Sequence, residues 1–158
     1  MKHFSDIGGM IKHLTLIAAA QTLADHRALK KCAVAIENTA KEEFGHYQGE
    51  VTPFAGWEEL AESTKEDRLA KGFTENDPLL RTGRLRKSVS HLISGAAAVI
   101  GSESEVMVHQ ELGTDKIPPR AVLGPAAIRN TQLIIDTIGH SAAEGLLYGS
   151  GLTLAKLT

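Results

Sequence analysis

Residues 29–47 read LKKCAVAIENTAKEEFGHY, and their apolar positions, Leu29, Ala33, Ile36, Ala40, Phe44 and Tyr47, recur at intervals of four, three, four, four and three. A repeat near 3.6 puts these positions on one face of an α-helix, with Lys30, Lys31, Glu37, Lys41 and Glu42 between them. Glu37 precedes Lys41 by one helical turn, the favourable orientation for an ion pair, and Gly45 and Gly49 offer places for the helix to end. Upstream, Ile7, Met10, Ile11, Leu14, Ile17 and Ala18 keep the same period, with Ser5 or Asp6 available as a cap. The two stripes fit either one helix of about 40 residues, roughly 60 Å long, or two helices with Asp25 capping the second. The break is the expectation taken forward.

Further along, Pro53, Gly56, Pro78 and Gly83 interrupt residues 49–84, which cannot form one regular element. Within them, Ser63 and Glu66 have the spacing of a capping box and Gly72 stands where a helix would close, predicting a short helix over 64–71. Thr82 can cap a single turn through Leu85, with Gly83 permitting close backbone packing and Leu80 and Leu85 facing inward on either side. Val89, Ile93, Val99, Ile100, Val106 and Val108 then fall in short runs punctuated by Gly95 and Gly101. That pattern predicts a three-stranded antiparallel meander whose last strand ends at His109 and Gln110, before a turn at Gly113. Pro125 is placed as the first residue of a helix, which Ala127, Thr131, Ile134, Ile138 and Ala142 carry to Gly145. Beyond it, Leu146, Leu147, Tyr148, Leu152, Leu154 and Leu157 are too apolar for a solvated tail, while Gly149 and Gly151 interrupt any helix. The expected fold class is α+β: a long N-terminal helix, a small antiparallel β-meander, a C-terminal helix packed on the sheet and an extended C-terminal arm. One domain spans 1–145 and the arm spans 146–158.

Composition bounds the functions open to such a chain. At 158 residues, with 42% hydrophobic and 23% charged residues, it suits one ordinary globular domain. Aromatics at 4% leave the core to aliphatics and many alanines, which favours close helix packing. A formal net charge of −2 provides no global attraction to nucleic acid or to an anionic membrane. Cys32 stands alone, so neither an internal disulfide nor a zinc cluster is expected, in keeping with synthesis in a reducing cytoplasm. The apolar stretch near the N-terminus is interrupted by His13 and falls short of the roughly 18 residues a membrane span requires, so neither export nor insertion is expected.

Enzyme signatures are missing from the sequence: it has no nucleophile elbow, phosphate loop or metal-binding His-Glu helix. The seven histidines are scattered singly. Glu42-Glu43 and Glu58-Glu59 could supply paired acids, yet adjacent helical residues diverge, and solvated faces are the simpler reading. Cys32 lies on or beside the apolar helix face as a small packing residue. The strongest local charge is Arg81, Arg84, Arg86 and Lys87, where a helical turn would gather Arg81 and Arg84 toward a phosphate or a carboxylate-rich partner. No aromatic residues are interleaved there to stack bases.

Two stretches go further. The first holds Trp57, Leu60, Ser63, Thr64, Arg68 and Gly72, followed by PLLRTGRLRKS at 78–88; the second is VHQELG at 108–113 with IPPR at 117–120 and VLGP at 122–125. In this order they resemble the phage virion-morphogenesis and minor tail component family, the tail-completion and head-tail neck proteins of Mu-like and long-tailed phages. The resemblance covers about half the chain, and Glu105-Val106 and Ala121-Val122 depart from the family's pattern. It implies a non-enzymatic structural virion protein without cofactor or metal, acting in head-tail joining as a homo-oligomeric ring, most often a hexamer, around the DNA channel. Its partners would be other phage neck, connector or tail-tube proteins; DNA would only pass through, and no membrane would be involved. The protein would be assembled in the bacterial host cytoplasm and reside in the virion. The motif positions taken as the interface are Trp57, Leu60, Leu80, Thr82, Gly83, Leu85, His109, Gln110, Gly113, Pro118, Arg120, Leu123 and Gly124, with Leu147, Tyr148, Leu152 and Leu154 from the arm. Physically, Trp57 should anchor its loop to the core, and the Arg120 guanidinium offers a fork to brace a carboxylate, either within the chain or on a neighbouring subunit. The alternative is a nucleic-acid-binding module using Arg81 to Lys87; a hydrolase using Glu58 or Glu59 is a third reading.

Overall fold

A computed structural model describes residues 7–150. Its elements, in order, are α1 (Ile7–Glu42), α2 (Glu62–Ala70), α3 (Arg84–Ser88), β1 (Val89–Ser94), β2 (Ala97–Ser102), α4 (Glu105–Leu112), α5 (Leu123–Arg129) and α6 (Thr131–Ser150). The fold is α+β, with a long N-terminal helix and a two-stranded antiparallel sheet. Among the described residues no helix is long and apolar enough to cross a membrane. The chain forms two compact units: residues 33–92 with 99–131, and residues up to 32 with 93–98 and those from 132 onward.

Several expectations change. Helix α1 is a single helix of 36 residues with no break at Asp25. The Asp25 carboxylate, instead of capping a helix, accepts hydrogen bonds from the Gln21 amide and the Ser141 hydroxyl, both at 2.6 Å, and neither Gly nor Pro interrupts residues 20–30. Helix α2 starts at Glu62 behind Ala61, without a side-chain cap, so Ser63 lies inside the helix and forms no capping box. The third strand of the meander is helix α4. Ser104 enters it with extended backbone, Glu105 occupies its first turn, and the buried residue is Met107, between the exposed Val106 and Val108 that suggested a strand. His109 and Gln110 are therefore helical, and Gly113 is the C-cap. The predicted C-terminal helix is two, because Asn130 intervenes: its amide N–H bonds back to the Ala127 carbonyl at 3.2 Å, and Pro125 sits inside α5 rather than opening it. Helix α6 continues through Ser150, so residues 146–150 are helical rather than extended. The rest of the arm, with Leu152 and Leu154, lies outside the described residues.

The larger unit is built on small residues. Ala33, Ala40 and Ala126 are wholly buried, which lets neighbouring backbone come close, and Ile36, Phe44, Val89, Met107 and Val122 fill the space between. Trp57 closes this core as expected, donating its indole N–H to the Ala121 carbonyl at 2.9 Å. Polar pins surround it: Asn130 reaches Thr39 Oγ1 at 2.9 Å, Arg129 pairs with buried Glu43, and His91 meets Glu37, which Lys41 also holds. Lys41 and His91 together keep the Glu37 carboxyl below its ordinary range. In the other unit α6 packs with the hairpin tip and the first part of α1, joined by the Asp25–Ser141 bond and by Gln21 donating to the Ser141 carbonyl at 3.3 Å.

Candidate functional site

The larger unit holds a cleft of about 540 Å³, walled by the segment before α2, by α2 itself, by the turn leading into α3, by α4 and by the loop that follows it. Seven motif positions meet here although they come from distant parts of the chain: Leu60, Thr82, Gly83 and Leu85 on one side, Gln110, Pro118 and Arg120 on the other. Leu80 contributes its carbonyl to the same region, and Trp57 anchors Ala121 beside Arg120. His109 is exposed on α4, Gly113 caps the end of α4, and Leu123 and Gly124 open α5. Leu147 and Tyr148 lie on α6 in the other unit.

The backbone at the cleft is shaped by two left-handed residues. Gly83, at φ 74°, enters α3 with open space where a Cβ would stand, so its requirement is the dihedral angle and not the close packing expected. Leu79 adopts φ 60° on the wall of the cleft, a conformation that costs a branched side chain energy and is held by its surroundings. Thr82 does not cap the helix as expected: Gly83 is the N-cap of α3, without a side-chain cap, and Thr82 Oγ1 makes only a long contact with the Arg84 N–H at 3.4 Å.

Two buried arginines form the floor's chemistry. Arg68, 5% exposed, donates from Nε to the Thr74 carbonyl at 2.7 Å and from Nη2 to the Leu80 carbonyl at 2.8 Å and Thr74 Oγ1 at 3.3 Å. Arg120, 6% exposed, donates from Nη2 to the carbonyls of Glu58 and Glu59 at 2.9 and 3.2 Å, and from Nε to Glu58 at 3.3 Å. Among the described residues Arg120 thus braces backbone and not a carboxylate of the chain itself. The carboxylate in this region belongs to Glu111, which accepts the N–H groups of Val122, Leu123 and Gly124 at 2.8, 3.1 and 3.0 Å and satisfies the start of α5. Gly124 has no freedom to change, since an added Cβ would fall 2.1 Å from the Phe54 ring.

The basic run divides. Arg81 pairs with Asp67 at 2.8 Å and lies 4.9 Å over the Phe73 ring, and Lys71 and Arg81 hold the Asp67 carboxyl below its ordinary range. Arg84, Arg86 and Lys87 are exposed on α3. Glu58 and Glu59 are exposed, with Glu59 3.5 Å from Lys65. Glu42 is exposed, but Glu43 is buried rather than solvated, and burial pushes its carboxyl up to about 7 against the opposing pull of Arg129. Cys32 is buried, and among the described residues no cluster of His, Cys, Asp and Glu could hold a metal ion.

Sequence reading missed the roles of Arg68, Glu111 and Glu43. Arg68 stands in the quoted motif, but only its burial marks it out from a surface helix cation. The sequence matches no family model, no curated protein and no solved structure.

Proposed function

We propose that the chain is a structural protein of a tailed-phage virion, a tail-completion or neck adaptor in head-tail joining that works as a homo-oligomeric ring and not as an enzyme. The observation that carries this reading is the convergence of the two motif stretches, apart in sequence, on the walls of one cleft. The apolar stripe of Ile7, Ile11 and Leu14 on α1, exposed among the described residues, supports an assembling protein, since a contiguous apolar face is ordinarily covered by a partner. Partners would be a second copy of the chain and the flanking neck, connector or tail-tube proteins, in the virion and, before it, in the host cytoplasm.

Sedimentation velocity of the full chain, alone and with tail components, tests the reading. A discrete ring species is expected, and Ile11→Ser combined with Leu14→Ser should dissolve it while leaving the fold intact. A chain that stays monomeric under both conditions defeats the proposal. The exposed Arg84, Arg86 and Lys87, which have no carboxylate partner among the described residues, favour nucleic-acid binding as the second reading. Duplex DNA affinity that falls steeply with salt and is lost on charge reversal of these residues would support it.

A further inference from the structure

We propose that the cleft of the larger unit is a docking site for an extended peptide segment of a partner protein, one that carries acidic side chains between aliphatic ones. The inference rests on the cleft and not on the phage reading.

Charge is the first argument. The guanidiniums of Arg68 and Arg120 are buried, yet neither has a carboxylate within ion-pair distance among the described residues; each is held along Nε and Nη2 by neutral oxygens. A guanidinium offers five N–H donors, and in both residues Nη1 makes no hydrogen bond to a described residue, so one edge of each fork is unspent. A buried guanidinium held by carbonyl and hydroxyl oxygens has no anion in direct contact among the described residues, and an incoming carboxylate supplies one. Lys116, exposed on the same wall, adds a third cation without an acidic partner. Against them stand two acids of the lining. Glu59 is engaged by Lys65, and Glu58, whose carbonyl accepts from Arg120, adds one exposed carboxylate to the lining.

The second argument separates a peptide from a phosphate or a nucleic acid. Gln110 lines the same cleft, and its Oε1 is buried without a hydrogen-bond partner. A buried acceptor left unsatisfied costs about 1–3 kcal/mol in general, and what it lacks is a donor. A peptide supplies in one molecule carboxylates for the arginines, aliphatic side chains for the apolar lining and, once the Gln110 amide turns into the cleft, a backbone N–H for it, a combination that inorganic phosphate lacks. Leu60, Leu79, Leu85, Val106, Ile117 and Pro118 provide apolar lining, suited to aliphatic neighbours of the acidic residues. No aromatic residue lines the cleft to stack a base. The volume lies in the range of built ligand sites, roughly 300–1,000 Å³.

Fluorescence anisotropy with the full-length chain tests this, using a rhodamine-labelled, end-blocked peptide Gly-Leu-Glu-Ile-Asp-Leu-Gly and the same peptide with Gln and Asn for Glu and Asp. Saturable binding of the acidic peptide is expected, with the neutral peptide at least about tenfold weaker. Two variants avoid the arginines, whose loss could unfold the unit. Lys116→Glu changes an exposed side chain, and Gln110→Met removes an acceptor that no described group satisfies. Both should keep the thermal transition and weaken the acidic peptide several-fold, which a purely structural Gln110 would not do. Equal binding of the two peptides, no binding by the wild-type chain, or unchanged affinity in either variant overturns the proposal. So does displacement of the peptide by inorganic phosphate or a single-stranded oligonucleotide at equal concentration, since that would mark the cleft as a general anion site.

Discussion

The two halves of helix α1 carry the same apolar period and meet opposite fates. In the second half Ala33 and Ala40 are wholly buried, and Phe44, just past the helix end, is 2% exposed. In the first half Ile11 and Leu14 remain 57% and 53% exposed. Side-chain size does not account for the contrast, since Ala18 and Ala19 in the first half are exposed while Ile36 and Phe44 are buried; what differs is that the second half is covered by the rest of the larger unit, whereas the described residues leave Ile11 and Leu14 in water. A helical stripe therefore marks which face avoids solvent, but it does not say which molecule covers that face.

The sharpest way to break this comparison is a pair of truncations read by urea denaturation. Phe44→Ala should cost about 3–5 kcal/mol, and Ile11→Ala less than about 0.5 kcal/mol. Comparable losses would mean that the first half is covered in the free chain after all.

Glu43 sharpens the comparison from the polar side, because only the covered half of the helix ends in a buried carboxylate. Its folded value of about 7 lies above the ordinary 4.5, raised first by burial, with the Glu111 charge adding and Arg129 opposing. Between those limits the folded chain keeps a proton that the unfolded chain releases, so stability falls as pH rises through the window and levels off above about 7. The full shift corresponds to on the order of 3 kcal/mol, and Glu43→Gln should flatten the slope between urea midpoints taken at about pH 5 and about pH 8. An unchanged slope would place the titration elsewhere.

Glu111→Gln is the mildest of the three. It retains an acceptor but gives up the charge at the start of α5, and should lower stability by about 1–2 kcal/mol in the same assay, with no effect on the exposed half of α1. A loss below about 0.3 kcal/mol would show that water replaces the carboxylate without cost.

The α+β class, the long helix and the helical segment around Arg68 were legible because each rests on a local period or on punctuation by Gly and Pro. Helix α4 was not. Val106 and Val108 read as a strand because β-branched residues at alternate positions fit a pleat, and the helical register shows only in the covering of Met107, Gln110 and Glu111, three and four residues apart. Asp25 misled for a related reason: an acid can cap a helix or bond sideways, and the partner that decides, Ser141, lies 116 residues away. Of the motif positions, Leu60, Thr82, Gly83, Leu85, Gln110, Pro118 and Arg120 meet at the cleft and the others do not line it, while Trp57 was legible as an anchor. The burial of Arg68 and the unspent edges of the two guanidiniums were not, because burial is a property of segments brought together from across the chain.

The three amides gathered by Glu111 have a mechanical consequence. A carboxylate near the end of α4 that grips the first amides of α5 closes residues 111–124 into a ring, part covalent and part hydrogen-bonded. Ile117, Pro118 and Arg120 sit on that ring and also form a wall of the cleft. Those three bonds tether the base of the wall, so the ends of the loop that carries it are held together while the side chains between them face whatever enters.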